Sequence, residues 1–325
     1  MPRAVVTLIV LTGAALAAGV LALMTGALPL APQRVALALA GQGDALARQI
    51  VWTVRLPRAL AAFAVGGLLA VAGALMQVML RNPLADPYVL GVSGGAAVAA
   101  LLGLMAGLGA GQLAWPAFAG ALGSIALVFG LARRGGGWNP ARLLLSGVGL
   151  AAGWGALISF LLAVADPARL PGMLFWLMGD LGGVTRTPWW ALAALALLAC
   201  LAWPLGRSLN VMARGPLEAQ ALGVPVARVQ PVIHVLAALA TALAVTVAGS
   251  VGFVGLVVPH LVRLTIGNDQ RLLIPAAALA GGSLLVVSDT LARTLLAPRA
   301  LPVGVVTALL GVPVFLYLLN RRGTR

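Results

Sequence analysis

Ten apolar runs separated by short polar or Pro- and Gly-bearing gaps divide the chain, near 5–27, 59–80, 91–110, 115–132, 143–164, 188–206, 230–249, 251–266, 272–293 and 302–320. A helix rises 1.5 Å per residue, so about 20 apolar residues cross a hydrocarbon core of about 30 Å. The pattern predicts an all-α integral membrane protein of about ten transmembrane helices, one membrane domain over 1–325. An even number of crossings puts both termini on one side. The first run starts after Arg3 and continues to about residue 28. That is longer than the roughly 7–15 apolar residues of a signal peptide, so a retained span is expected.

Two runs are interrupted in a related way. The segment 71–82 leads into Pro83 and Pro87, and 252–263 carries Pro259 inside a run too short to cross comfortably. Short or broken helices at matching positions of two halves suggest an inverted repeat, here spans two to five against seven to ten. Glycine recurs at spacing four (Gly91 and Gly95; Gly103, Gly107 and Gly111; Gly149 and Gly153), which predicts close helix contacts.

Composition sharpens the class. Of 325 residues 62% are hydrophobic and 9% charged, with a mean hydropathy of +1.06, which excludes a water-soluble enzyme or a disordered scaffold. The net charge is +14, and all 21 basic residues are arginine, against six Asp and the single Glu218. The arginines are spread among the gaps, as membrane topology requires, rather than gathered into a nucleic-acid patch. With both termini in the cytoplasm, inner segments hold 13 arginines, Arg134 and Arg325 among them, and outer segments hold eight. The outer set (Arg34, Arg48, Arg55, Arg58, Arg169, Arg186, Arg293 and Arg299) either snorkels to headgroups or forms a docking face for an acidic partner. Cys200 is the only cysteine, so an internal disulfide or a cysteine metal cluster is excluded.

Candidate chemistry is sparse. Residues 91–95 match G-x-S-x-G, but that elbow needs a strand-to-helix turn. An intramembrane serine hydrolase would need His234 or His260 within about 2.6–3.2 Å of Ser93. Two isolated histidines predict no zinc or iron site. A P-loop needs a lysine on the β and γ phosphates, and the chain has none, so this polypeptide does not hydrolyse nucleotide itself. An ion-coupled secondary transporter would want acids within the spans. Asp289 is the clear one, and it stands four residues before Arg293, the spacing of an i, i+4 pair.

The longest polar interruption, 207–229, contains a short helix written by local rules. Gly215 can cap it, Pro216 suits its first position, and Gly223 with Pro225 stops it. Leu217, Ala221 and Leu222 give it a small apolar face, too short to be stable alone. Such a face needs a surface to lie on, and the flanking Arg214 and Arg228 favour a partner at the membrane boundary over the chain's own bundle.

Several longer motifs stand in order along the chain: Arg55-Leu56-Pro57-Arg58, GALMQ at 73–77, NPLA at 82–85, LGVSGGA at 90–96, FWLMGDLGG at 175–183, GFVGLVVPHLVR at 252–263 and LPVGVVTALLGVPVF at 301–315. Together they make the chain resemble the membrane permeases of bacterial ABC importers for ferric siderophores, haem and vitamin B12. The resemblance implies a multi-pass inner-membrane permease of the vitamin B12 permease fold, paired with a second copy around a central path. It implies two cytoplasmic ATPase subunits, which hold the ATP and Mg²⁺, docked on Arg214, Pro216, Leu217, Glu218, Ala221, Leu222 and Gly223. A periplasmic binding protein would dock on Arg55, Arg58 and Arg293. Arg169, Phe175 and Trp176 would face the substrate path, and no metal, cofactor or catalytic residue of the chain's own is implied. The cargo stays open among haem, ferric siderophore and cobalamin.

Overall fold

The computed structural model describes residues 2–26, 28–133 and 140–322; Arg134 and Arg325 lie outside the described residues. Every regular element among them is helical: α1 (Pro2–Met24), α2 (Pro32–Leu39), α3 (Ala45–Gln49), α4 (Leu56–Met79), α5 (Val92–Met105), α6 (Ala114–Arg133), α7 (Pro140–Val164), α8 (Leu170–Met178), α9 (Trp189–Ala202), α10 (Gly206–Met212), α11 (Pro216–Ala221), α12 (Val226–Ala248), α13 (Val254–Ile266), α14 (Gln270–Thr294) and α15 (Val303–Arg322). Each of the ten expected spans coincides with one helix, but they are not equivalent. Among the described residues seven helical stretches are long and apolar enough to cross a membrane, while Val92–Met105, Val254–Ile266 and Val303–Leu318 are apolar and shorter. Helices of 14 and 13 residues, α5 and α13, rise only about 20 Å. Ten equal crossings is therefore too simple a description.

The gap at 28–58 is itself largely helical. Pro32 opens α2, and Asp44 caps α3 by accepting from the Leu46 N–H at 3.3 Å. A π-helical turn, Ile50–Arg55, then carries the chain into α4 without a break. Nearly all of α4 is buried, against α14, α12 and α13. Apolar side chains gain little by leaving lipid for one another, so packing there relies on close backbone approach. A Cβ at Gly66 would stand 2.2 Å from the Gly281 carbonyl oxygen, and one at Gly73 would stand 1.8 Å from that of Gly255. Of the spaced glycines, Gly95 packs in this way on Gly120, whereas Gly149 and Gly153 of α7 face open space.

Helix directions define two ends. Arg293, late in α14, reaches the Ala22 carbonyl late in α1, so these helices run parallel. The Leu301 N–H donates to the Ala292 carbonyl at 2.9 Å, so α15 starts beside the end of α14 and runs back. The start of α1, the start of α14 and the far end of α15 thus share one end, beside α10 and α11; the starts of α4 and α15 share the other.

The two short helices begin alike. Gly91 and Phe253, the residues before α5 and α13, both have φ of 67°. The Tyr88 hydroxyl joins the two starts, accepting from the Val251 N–H at 3.0 Å and donating to its carbonyl at 3.1 Å.

Candidate functional site

At the end opposite α11, three arginines converge and turn inwards. Arg55, the last residue of the π-helical turn, donates to the carbonyls of Leu23 (2.7 Å), Met24 (3.1 Å) and Leu28. Those carbonyls belong to or follow the last turn of α1, where a helix leaves acceptors without intrahelical donors. Arg58, in the first turn of α4, places Nε 2.9 and 3.0 Å from the two Asp289 oxygens and Nη2 2.8 Å from one of them. Arg293 reaches the same carboxylate at 3.1 Å, giving the i, i+4 pair that the spacing predicts. Asp180, at the end of α8, stands 4.0 Å from Arg58. Exposure is the property that departs from expectation. Arg55 and Arg58 are 4% and 9% exposed and Asp289 is 1% exposed, because main-chain carbonyls and a carboxylate compensate the buried charge.

Beside this cluster lies a cavity of 400 Å³ walled by the ends of α5, α8 and α12 and the starts of α6 and α9. Phe175 and Trp176 line it, together with Asp180, Arg186 and Trp190. Arg169 does not. Its guanidinium donates to the carbonyls of Leu104 and Met105 and so closes the end of α5. Arg186 is the basic residue in the wall, and the T-R-T-P-W-W sequence, an arginine just before two tryptophans, was the signal available for it. The cavity floor depends on glycine. Gly179 and Gly249 have φ of 78° and 66°, and a Cβ at Gly249 would stand 2.2 Å from the Trp176 carbonyl. The Asp180 N–H donates to the Ala248 carbonyl at 2.9 Å, locking α8 to α12.

At the other end, α11 forms where capping rules put it. Gly215 precedes it with φ of 143°, Pro216 is its first residue and Gly223 has φ of 81° just beyond its end. Ala219 faces inwards and is buried, while Leu217 and Leu222 are 80% and 64% exposed and Ala221, Glu218 and Arg214 are also exposed. The apolar face is left uncovered by the chain itself.

The remaining motif residues are accounted for by packing. Ser93 sits in the first turn of α5, with Gly94 against Trp154 and Gly95 against Ser124. His234 Nδ1 is 2.8 Å from the Gln230 carbonyl, and its ring meets Phe129 edge-on at 6.4 Å. Among the described residues no three His, Cys, Asp or Glu side chains group as metal ligands would.

Apolar helices around a walled cavity at one end, with a short helix presenting Leu217 and Leu222 to solvent at the other, are the architecture of a membrane permease. The chain belongs to the FecCD transport family, whose profile matches residues 6–321, in agreement with the resemblance in its motifs. It is 43% identical over 280 residues to the hemin transport system permease HmuU of Yersinia pestis, covering 84% of each chain. It is 41% identical over 280 residues to the vitamin B12 import system permease BtuC of Escherichia coli, again covering 84% of each. Identity to the cobalamin import system permease BtuC of Halobacterium salinarum is 42% over 284 residues, covering 86% of this chain and 75% of the relative. Among solved structures, the inward-facing conformation of a metal-chelate type ABC transporter superposes with a TM-score of 0.85 at 31% identity, covering 97% of this chain and 98% of that one. PsaBC of Streptococcus pneumoniae shares the fold at a TM-score of 0.56 and 18% identity, covering 83% and 92%.

Proposed function

We propose that this chain is the transmembrane permease subunit of a binding-protein-dependent ABC importer, moving an iron chelate (haem or a ferric siderophore) or cobalamin across a bacterial inner membrane. The observation that carries the reading is α11: a six-residue helix between two glycines, presenting Leu217 and Leu222 to solvent. A helix of that length is not stable alone, so its apolar face is there to be covered. Two cytoplasmic ATPase subunits cover it in this reading, holding the ATP and Mg²⁺ that the lysine-free chain cannot grip. Arg214, Pro216, Glu218, Ala221 and Gly223 complete the contact.

Ten crossings with both termini in the cytoplasm follow from the same reading. An inverted repeat of spans two to five and seven to ten is supported by the matched starts of α5 and α13. A second copy faces α7, whose glycines Gly149 and Gly153 meet nothing within the chain. The binding protein docks at the opposite end, over the inward-turned Arg55, Arg58 and Arg293, and a partner carboxylate competes with Asp289 for the latter two. Cargo enters by the cavity lined by Phe175, Trp176 and Arg186, an aromatic and cationic wall suited to a flat or anionic chelate. Arg169 holds that wall's α5 side. Rigid-body movement of the bundle, driven from α11, opens the path to either side in turn.

Reconstitution with the ATPase and binding protein, followed by uptake of haem, cobalamin and a ferric siderophore side by side, tests the reading. Uptake requires ATP and both partners. Uphill uptake by the chain alone on an ion gradient overturns it in favour of a secondary transporter.

A further inference from the structure

A second cavity, of 620 Å³, opens at the α11 end, separate from the cavity beside Asp289. Three guanidiniums line it from three different elements: Arg81 just after α4, Arg214 between α10 and α11, and Arg263 in the last turn of α13. One carboxylate, Asp269, shares the wall, and Arg271 and Asn210 already engage it, each at 2.9 Å. Asp269 is thus engaged away from Arg81 and Arg214, while Arg263 donates to Gln77 Oε1 on the same wall at 3.1 Å. Among the described residues neither Arg81 nor Arg214 makes an ion pair. Arg81 ends α4 at φ of 49°, in a left-handed helix stop whose next N–H, that of Asn82, returns to the Gln77 carbonyl at 3.1 Å and fixes where its side chain leaves the helix.

A further side chain specifies more than charge. Gln270 lines the same cavity, is 2% exposed, and has a buried Oε1 with no hydrogen-bond partner among the described residues. A buried acceptor of this kind needs a donor. The complement of the wall is thus an anion whose oxygens accept from guanidinium and which also carries a hydroxyl. Chloride and sulfate lack that hydroxyl. A phosphate has it, as the protonated anion or through a polyol ester such as glycerol phosphate. The position agrees, since the cavity lies among helix ends at one face of the bundle, where basic pockets between membrane helices meet lipid headgroups.

We propose that this cavity is a phosphate site, taking free phosphate or the phosphate of an anionic polyol lipid headgroup, with Arg81, Arg214 and Arg263 on its oxygens and a hydroxyl on Gln270 Oε1. The site adjoins the segment leading into α11, since Arg214 lines it and an Arg81 guanidinium nitrogen stands 3.7 Å from where a Cβ on Gly215 would lie.

The proposal does not rest on the transport reading, and its test uses the purified full chain in detergent with no partner. Thermal unfolding and native mass spectrometry follow titration with inorganic phosphate, against chloride and sulfate at equal ionic strength, and with phosphatidylglycerol, against phosphatidylcholine. Phosphate or phosphatidylglycerol is expected to bind saturably and about tenfold more weakly to Arg81→Gln and to Arg214→Gln, with Arg299→Gln at the opposite end unchanged. Gln270→Leu keeps the charge and removes the acceptor, so it weakens phosphate and leaves any sulfate binding as it was. Binding of the lipid alone assigns the source to the headgroup, and binding of both assigns a site open to free phosphate. If Arg81→Gln does not fold, Arg214→Gln carries the comparison, since its side chain is exposed. The proposal falls if neither ligand binds above its controls, or if Arg299→Gln weakens binding as much as the other two.

Discussion

Asp289 pairs with two guanidiniums on one buried carboxylate, so removing it leaves Arg293 without a carboxylate and Arg58 with only Asp180 at 4.0 Å. Breaking a buried pair from one side costs about 3–5 kcal/mol. Asp289→Ala is expected to lose that much stability in detergent unfolding, more than Arg293→Ala, which leaves the Arg58 pair intact; equal losses would show that Asp289 is not the hub. Asp269 illustrates a different balance, outside the spans. Its bond with Arg271 chiefly holds its carboxyl down to about 2, and that with Asn210 helps. A depressed value means stability that is present above the ordinary 3.8 and lost as pH falls towards about 2. The unfolding-temperature gap between wild type and Asp269→Asn should therefore close over that acid range, and a gap that stays constant would remove the assignment. The spacing of Asp289 and Arg293 was legible in the sequence as a helical pair. Arg58 was not legible as their partner, since it lies 231 residues from Asp289 and no periodicity reports such a contact.

Among the elements, α11 was written in full by its flanking glycines and its proline, because a short capped helix obeys local rules. The exposure of Leu217 allows a clean separation of folding from coupling. Leu217→Asp should change unfolding by no more than about 0.5 kcal/mol, because that side chain buries nothing within the chain. It should nevertheless leave ATP hydrolysis by the assembled importer running without uptake. Coupled transport at the wild-type ratio would exclude α11 as the contact. α8 was less legible. Its nine residues, with Pro171 at the second position and Gly179 just past the end, fall in what reads as a gap between spans, and packing on α5 and α15 makes a helix of them. That packing is tight: a Cβ at Gly304, in the first turn of α15, would stand 2.1 Å from the Met178 carbonyl oxygen. A clash with backbone has no rotamer to relieve it, so Gly304→Ala should destabilise by about 1–3 kcal/mol and displace α8 from the cavity wall. Unaltered unfolding and uptake would refute this.

At the scale of the whole molecule, hydrophobic runs gave the class and the approximate span positions because lipid permits only structures that satisfy their own backbone. They marked the run that holds α13 as too short to cross, but did not distinguish α5 from a full-length helix, since an apolar run reads the same whether it crosses or stops inside the bundle. Orientation is a whole-molecule property with a direct check. With Cys200 replaced by Ser, an impermeant maleimide applied to spheroplasts should label Arg48→Cys from outside, and should label Leu217→Cys only after permeabilisation. Labelling of Leu217→Cys in intact spheroplasts would invert the topology and withdraw the ATPase contact.

The single hydroxyl of Tyr88 engages both main-chain groups of Val251, and so ties the turn before α5 to the turn before α13. Separating the two turns strands three polar groups away from water. The starts of α5 and α13 are therefore expected to shift together in any rearrangement of the bundle.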